Sequence, residues 1–249
     1  MKTIIVIPAR WDSTRFKGKP LALINGVTML ERVWKKARLS KEANDVIIAT
    51  DNKKIENFCK KKKFKVIMTS KSHKTGTDRI SEVSKKINAK IYVNLQGDEP
   101  LINPNSIDKV IRCLKKNIKN GYEVSTGYTI LDNKYKDEKK ATGYLVKSNY
   151  NEVLLVSRLP IPFNVKKKKV KRYKHIGLYV FTKRIIQEFS KFKVGQLEKN
   201  ENIELLRFLE NKKKIICTIL KNNINQSVDH PSDIKKVEKL IKTKYIKKI

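Results

Sequence analysis

Residues 3–20 read TIIVIPARWDSTRFKGKP, an apolar stretch that runs directly into a loop rich in cations. The run Thr3–Ile7 is typical of a strand that is buried on both faces of a sheet. Further strand patterns follow it, and helical patterns separate them. This alternation predicts βαβ units, and therefore an α/β fold in which helices cover both faces of a mainly parallel sheet.

The patterns give approximate bounds for each element. The predicted strands are Thr3–Ile7, Val46–Thr50, Phe64–Met68, Ile91–Leu95 and Ile215–Leu220. The first predicted helix opens at a Thr28–Glu31 capping box and ends near Leu39, and the second is capped by Asp51. The other predicted helices are Asp78–Ile87, Pro104–Lys116, Lys183–Phe192, Asn202–Leu209 and Pro231–Lys242.

The rhythm changes after Val124. Residues 141–165 and 173–181 have strand patterns with short turns and no helices between them. We therefore predict one domain over residues 1–249, with an antiparallel insertion at about 125–182 that serves as a lid or a dimerisation element.

The charge of the chain is strongly basic. The 249 residues include 58 Lys and Arg and carry a net charge of +34, but only ten of these residues are Arg and the lysines form diffuse runs. Such a distribution favours a solvated surface, with nonspecific adhesion to polyanions, over specific recognition of nucleic acid. A basic nucleic-acid-binding protein is the alternative that the charge alone suggests.

The composition also bears on location. No window approaches 18 uninterrupted apolar residues, so we expect no insertion into a membrane. The first residues lack the features of a signal peptide, and the three cysteines stand far apart. Neither a disulfide framework nor a zinc site is expected, and we predict a cytoplasmic protein.

The loop after the first strand is the most informative segment. Ligands bind beyond the carboxyl ends of the strands in open α/β sheets, which is where this loop lies. Arg10, Arg15 and Lys19 supply three cations, and a turn at Gly18 brings backbone N–H groups close, as a triphosphate requires. The loop is not a Walker A motif because Pro20 follows Gly-Lys.

Two aspartates are candidate magnesium ligands. Asp98 follows the fourth strand in the sequence NLQGDEP, where Gly97 allows a sharp turn, and Asp229 lies in VDHPSD before the last helix. Mg²⁺ is commonly held by one or two carboxylates together with phosphate oxygens. The alternative is that Asp98 caps the next helix, and that Asp229 or Ser232 caps the last one.

Together the motifs resemble the CMP-Kdo synthetase (3-deoxy-manno-octulosonate cytidylyltransferase) family over nearly the whole chain. The motifs that match in order are Ile7–Pro20, Ala49–Asp51, Met68–Arg79, Gln96–Pro100, Ser157–Pro162, Lys174–Tyr179, Leu197–Glu198, Glu204–Arg207 and Val228–Pro231. The resemblance implies a three-layer sheet like that of nucleotide-diphospho-sugar transferases, and a homodimer.

The resemblance also implies an activity. The family transfers CMP from CTP to the anomeric hydroxyl of Kdo, an acidic eight-carbon sugar, releases pyrophosphate and requires Mg²⁺. The product is activated for lipopolysaccharide synthesis. This chain is expected to do the same, with preorganised cations stabilising the charge that develops on the phosphates.

Individual residues match the family's site. The nucleotide positions are Ala9, Arg10, Ser13, Arg15, Lys19, His73, Thr75, Gly76 and Arg79. The sugar positions are Gln96, Arg158, His175, Tyr179 and Glu204. The metal ligands are Asp98 and Asp229, which with Arg10 and Lys19 form the predicted catalytic set. By pattern alone, the sugar residues would be ordinary core, ion-pair or surface side chains.

Two departures keep other acid sugars open. Leu205 stands where the family usually has a sugar-contacting Gln, and Thr142–Lys147 replaces its usual strand entry. Losing a polar anchor removes hydrogen bonds that discriminate between substrates. The alternatives are therefore 8-amino-Kdo or a sialic-acid-like sugar. A glycosyltransferase that consumes a CMP-sugar shares the expected architecture and a metal carboxylate, and is a further alternative.

Overall fold

The computed structural model describes residues 1–131, 143–165, 170–221 and 226–243. Its strands are β1 Thr3–Ala9, β2 Leu23–Ile24, β3 Val27–Thr28, β4 Asp45–Thr50, β5 Val66–Met68, β6 Ile91–Leu95, β7 Val124–Ile130, β8 Tyr144–Lys147, β9 Val153–Ser157, β10 Tyr173–Thr182 and β11 Ile215–Ile219. Its helices are α1 Met29–Arg38, α2 Lys53–Lys61, α3 Gly76–Lys86, α4 Pro104–Asn117, α5 Lys183–Glu188, α6 Gln196–Glu201, α7 Leu205–Glu210 and α8 Pro231–Lys242.

Nine of the strands form one sheet. Its main path has the order β11-β7-β10-β6-β1-β4-β5, and β8 and β9 extend from β10. The pairs of β1 with β4 and β6, of β4 with β5, and of β7 with β11 are parallel, whereas β10 is antiparallel to β6 and β7. The mainly parallel sheet is therefore confirmed.

Alternating side chains of β1 separate two hydrophobic cores. Ile4 and Val6 lie in one core, where α3 and α5 pack, whereas Ile5 and Ile7 lie in the other, where α1, α2 and α4 pack. All four side chains are at most 1% exposed. The chain therefore forms three layers, as the continuous apolar run predicts.

Most predicted elements are confirmed, with small shifts of their ends. The predicted start of a helix at Asn202 is wrong, because Asn202 ends α6 with a positive φ of 51° and α7 begins at Leu205. The predicted cap Asp51 is also wrong. Asn52 caps α2 by accepting a hydrogen bond from the N–H of Lys54, and Asp51 pairs with Arg79 instead.

The strands of the predicted insertion join the main sheet. β7 and β10 lie inside its order, and only β8 and β9 project from it. The predicted strand pattern begins at residue 141, but residues 141 and 142 fall outside the described residues. This includes Thr142, the first residue of the segment Thr142–Lys147. The dimerisation role of 125–182 stays a prediction.

The strand register brings two loops together at the carboxyl edge of the sheet. Val6 of β1 lies beside Asn94 of β6, so the chain leaves both strands at the same level. Gly97 allows this approach, because a Cβ there would lie 2.9 Å from the carbonyl oxygen of Pro8. The turn expected at Gly97 is confirmed, because the N–H of Glu99 donates to the carbonyl of Gln96 at 3.3 Å. The turn expected at Gly18 is also present, with a positive φ of 71°.

Candidate active site

The loop after β1 folds back on its own backbone. The carbonyl of Trp11 accepts hydrogen bonds from the N–H groups of Ser13 at 3.1 Å and Gly18 at 2.9 Å. Pro20 is buried within a short 3₁₀ helix that fixes the end of the loop. As a result, Arg10, Ser13, Arg15 and Lys19 line one cleft together with Ala9.

Two ion pairs connect this loop to the predicted metal ligands. Lys19 Nζ lies 2.6 Å from Asp98 Oδ2, and a terminal guanidinium nitrogen of Arg15 lies 2.8 Å from Asp229 Oδ1. The N–H of Val228 also donates to the carbonyl of Asp98 at 3.0 Å. Three segments far apart in sequence thus meet at one place.

The helix-capping alternatives for both aspartates are wrong. Asn103 caps α4 and His230 occupies the cap position of α8, so neither Asp98 nor Asp229 caps a helix, and Ser232 lies inside α8. At the start of α8 it is Asp233 whose carboxylate accepts hydrogen bonds from the N–H groups of residues 229 and 230. Instead, Asp98 lines the cleft and pairs with Lys19, whereas Asp229 pairs with Arg15 but lies outside the lining of the cleft.

The predicted cytidine segment forms another wall of the cleft, lined by His73, Thr75, Gly76 and Arg79. Thr75 caps α3 in a capping box with Asp78. The guanidinium of Arg79 is 2% exposed and lies 2.7 Å from Asp51, with a second bond to Thr69. Arg79 is thus held by protein contacts at the base of the wall.

His73 is anchored in a similar way. Its Nε2 lies 2.6 Å from the carboxylate of Glu82 on α3. Burial raises the pKa of Glu82, but hydrogen bonds from Lys86, the Ser70 N–H and His73 outweigh it and lower that pKa to about 2. The carboxylate is therefore ionised at neutral pH and orients the imidazole.

The predicted sugar residues divide into two groups. Gln96 and Glu204 line the cleft, whereas Arg158, His175 and Tyr179 lie outside its lining. The rings of His175 and Tyr179 stack with centroids 5.5 Å apart, and Arg158 is tied to the backbone carbonyl of Glu201 at 2.7 Å. Burial, with a contribution from the Arg158 charge, lowers the pKa of His175 to about 3.

Leu205 is fully buried and belongs to the same core as Tyr179. It does not line the cleft, so the expected replacement of a sugar-contacting amide by Leu is not a change in the cleft wall. Its position instead makes it a packing residue at the start of α7.

Sequence reasoning assigned no role to a buried ion cluster behind this wall. Arg207 donates to both oxygens of Glu198, at 2.6 and 2.7 Å, and to Asp78 at 3.2 Å, and its guanidinium lies 4.0 Å from the ring centroid of Phe189. The cluster joins α6 and α7 to the capped end of α3. Spacing along the chain gives no signal for it, because Asp78 lies 129 residues from Arg207.

Glu99 is a second residue that sequence reasoning missed. It directly follows Asp98, is 9% exposed, and its Oε2 has no hydrogen-bond partner among the described residues. Burial, followed by repulsion from Asp98, raises its pKa to about 8. A buried carboxyl group thus lies directly beside Asp98, a predicted metal ligand.

Known proteins resemble this chain in sequence and in fold. A family model described as Cytidylyltransferase matches residues 4–215. The chain belongs to the cytidylyltransferase family. Within the described ranges, no helix combines the length and hydrophobicity needed to cross a lipid bilayer.

Several relatives of this cytidylyltransferase family member cover almost its full length. Proteins of Shewanella sp. (strain ANA-3) and Shewanella frigidimarina, both 8-amino-3,8-dideoxy-manno-octulosonate cytidylyltransferases, are 38% and 37% identical to it; each alignment covers 96% of this chain and 98% of the relative. A solved structure of CMP:2-keto-3-deoxy-manno-octonic acid synthetase complexed with CTP superposes with a TM-score of 0.90 at 31% identity, over 97% of this chain and 98% of the other. The three-layer nucleotidyltransferase fold is thereby confirmed.

Proposed function

We propose that the chain transfers CMP from CTP to the anomeric hydroxyl of Kdo and releases pyrophosphate. The product is the activated sugar that lipopolysaccharide synthesis uses. The observation that carries the proposal is the meeting of Lys19 with Asp98, and of Arg15 with Asp229, at the carboxyl edge of the sheet. Cations for a triphosphate and carboxylates for a divalent ion are the two things that this reaction needs in one place.

The donor set fits magnesium. Asp98 and Asp229 offer hard carboxylate oxygens, and the bond from the Val228 N–H to the Asp98 carbonyl keeps their backbones adjacent. Mg²⁺ takes one or two carboxylates plus substrate phosphates at nucleotide sites, so these two residues would hold it. When bound, it would stabilise phosphate charge and lower the pKa of the attacking hydroxyl.

The chain's own residues would act on the triphosphate. Arg10, Arg15 and Lys19 would bind its oxygens and stabilise the charge that accumulates as pyrophosphate leaves. The wall from His73 to Arg79 would hold the cytidine, with Thr75 and Gly76 at the N-terminal end of α3. Gln96 and Glu204 would hold the sugar beside this wall, together with Arg158, His175 and Tyr179, which lie outside the lining of the cleft.

A second candidate substrate is 8-amino-Kdo. The Shewanella relatives that bear this name are 38% identical to the chain, against 31% for the Kdo-type synthetase structure. The two sugars differ at a single carbon, where a hydroxyl is replaced by an amine. Both proposals use the same nucleotide and metal residues, so they differ only in the sugar.

The experiment is a pyrophosphate-release assay with CTP, Mg²⁺ and a panel of acid sugars. Kdo turnover above that of 8-amino-Kdo and of a sialic acid supports the first proposal, and the reverse order of the two Kdo sugars supports the second. If no sugar of the panel causes pyrophosphate release, both proposals are refuted. Replacement of CTP by UTP tests the nucleotide assignment in the same assay.

The homodimer and the cytoplasmic location are further proposals. Large apolar side chains are exposed in the segment 125–182, where Leu159, Phe163 and Val165 are 72%, 85% and 80% exposed. A pairing of two chains through this segment would cover them. Light scattering on the full chain tests it: Phe163→Asp should give monomers, whereas Leu23→Asp, outside the segment, should not.

A further inference from the structure

Two cations of the cleft are held in ion pairs with the predicted metal ligands. Each of the two proposed metal ligands lies against a cation of the loop after β1, Asp98 against Lys19 and Asp229 against Arg15. We call these the cleft ion pairs. Every group in them is one that the substrate complex needs: two cations for phosphates and two carboxylates for metal.

The cleft ion pairs differ in strength. The side chains of Lys19 and Asp98 are 14% and 26% exposed, and Lys19 Nζ also donates to the carbonyl of Val228 at 3.0 Å. The side chain of Arg15 is 53% exposed and that of Asp229 is 22% exposed. Solvent screens the second pair more, so Lys19 should hold its carboxylate more firmly than Arg15 does.

We propose that Lys19 and Arg15 compete with the metal ion for Asp98 and Asp229 when no nucleotide is bound, and that release of these ion pairs adds to the coupling between nucleotide and metal. A triphosphate attracts Lys19 and Arg15 away from Asp98 and Asp229. The two carboxylates then lack a counter-charge, which a divalent cation supplies. Metal bound first would, in the same way, release both side chains for the phosphates.

The proposal rests on the proposed function and adds to it a second role for two residues. Lys19 and Arg15 are not only phosphate ligands but also competitors of free metal ion. Coupling between two ligands is reciprocal, so the factor by which metal tightens CTP binding equals the factor by which CTP tightens metal binding. Such factors usually lie between about 5 and 150.

Arg10 provides an internal comparison. It lines the same cleft, but its guanidinium donates to the backbone carbonyl of Lys74 at 3.4 Å and is in no ion pair found among the described residues. It should therefore assist CTP without competing with metal. Loss of Arg10 and loss of Lys19 should both weaken CTP binding, and only loss of Lys19 should strengthen metal binding.

The first measurement is the binding of Mn²⁺ alone to the full-length chain, followed by the electron paramagnetic resonance signal of the free ion. Lys19→Met should tighten Mn²⁺ binding by about tenfold, and Arg15→Met by a smaller factor because its pair is more exposed. Lys19→Arg keeps the charge and should bind Mn²⁺ as weakly as the wild type. Circular dichroism checks that each variant is folded.

Two control variants separate the cleft ion pairs from a general loss of positive charge. Arg10→Met removes a cleft cation that is paired with a carbonyl, and Lys115→Met removes a lysine that lies 2.7 Å from Glu42 at the opposite edge of the sheet. Neither should change the affinity for Mn²⁺. Tighter Mn²⁺ binding in Lys115→Met equal to that in Lys19→Met would overturn the proposal.

The second measurement is CTP binding by calorimetry, without sugar, in the presence and absence of Mg²⁺. The wild type should bind CTP more tightly with Mg²⁺, and in Lys19→Met that gain should be smaller by about tenfold, the factor by which the variant binds Mn²⁺ alone more tightly. Equal Mn²⁺ affinity in the wild type, Lys19→Met and Arg15→Met, including no detectable binding in any of them, would overturn the proposal. So would a gain in CTP affinity from Mg²⁺ that is as large in Lys19→Met as in the wild type.

The two proposals fail in different ways. A chain that shows coupled binding of CTP and metal but no turnover with any acid sugar would refute the proposed sugar transfer and leave the coupling intact. A chain that turns over an acid sugar but binds CTP and metal independently would refute only the coupling.

Discussion

The carboxylate of Glu204 lies across the first turn of α3, where its Oε1 accepts a hydrogen bond from the N–H of Gly76 at 3.1 Å. Its Oε2 accepts bonds from the N–H of Thr77 at 3.0 Å and from the Thr77 hydroxyl. A negative charge is favourable at a helix N-terminus. Burial nevertheless raises the pKa of Glu204, although these hydrogen bonds lower it. The contact joins the predicted cytidine wall to the predicted sugar wall.

Replacement of Glu204 by Gln should separate these two walls. The amide places N–H groups against the donors of Gly76 or Thr77. We expect the KM for the sugar to rise by about tenfold or more, and the KM for CTP to rise by a smaller factor because Gly76 belongs to the predicted cytidine wall. Steady-state kinetics with each substrate varied in turn measures the difference.

A matched variant exists on another helix. Glu210 accepts hydrogen bonds from the N–H groups of Leu197 and Glu198 at the start of α6, at 2.8 and 3.2 Å. Glu210→Gln should leave both substrate constants unchanged. If Glu204→Gln behaves like Glu210→Gln, the sugar role of Glu204 is wrong.

The buried cluster around Arg207 should matter for stability. The side chains of Arg207 and Glu198 are 6% and 7% exposed. Arg207→Met therefore leaves the carboxylates of Glu198 and Asp78 without their cation. We expect a loss of about 3–5 kcal/mol in the free energy of unfolding. Arg184, which pairs with Glu123 but is 66% exposed, provides the comparison, and Arg184→Met should cost about 1 kcal/mol or less. Urea denaturation measures both; equal losses would contradict the expected effect of burial.

Gly18 should be needed for nucleotide binding as well as for folding. Its φ is 71°, and a Cβ there would lie 3.1 Å from the indole of Trp11. Gly121 has a φ of 83° and open space around the corresponding position. Both Gly→Ala variants should therefore lose about 1 kcal/mol of stability from backbone strain, and only Gly18→Ala should also weaken CTP binding. Unchanged CTP affinity in Gly18→Ala would show that the loop tolerates a shifted turn.

His175 should make the fold sensitive to acid. Its pKa falls from 6.5 to about 3 in the folded chain, so the unfolded chain binds more protons between these values. Stability should therefore decrease as the pH falls below about 6.5, by about 3 kcal/mol at pH 4 from this residue alone. His175→Gln should remove that part of the acid sensitivity, and His230→Gln, at an exposed position, should not. Denaturant unfolding at pH 7 and pH 4 gives the comparison, and parallel losses in the wild type and His175→Gln would contradict the prediction.

Local patterns in the sequence were enough to predict the fold and the residues on one side of the cleft. The apolar run in β1 and the capping residue Thr28 act through neighbouring residues, so a single chain is enough to predict them. Arg10, Arg15, Lys19 and Gly18 stand within one loop, and the general position of ligands in α/β sheets gives their place.

Contacts between distant segments were harder to predict. Asp51 has the spacing of a helix cap but pairs with Arg79, and Asp98 and Asp229 could equally have capped helices. Leu205 stands where the family usually has a sugar-contacting Gln, yet its side chain lies in the hydrophobic core. In each case the contacts of the side chain depend on how distant segments pack together. Residue spacing along the chain does not contain that information.

The measurement that tests the account most directly is pyrophosphate release by Asp98→Asn with CTP and the preferred acid sugar. Loss of one carboxylate from the metal-facing side of the cleft should lower kcat by at least about 10²-fold, the scale seen for one preorganised charge-stabilising group. Asp45→Asn, which removes a carboxylate paired with Lys65 at the amino end of β4, should keep wild-type activity. Wild-type turnover by Asp98→Asn would contradict the assignment of this cleft as the site of CMP transfer.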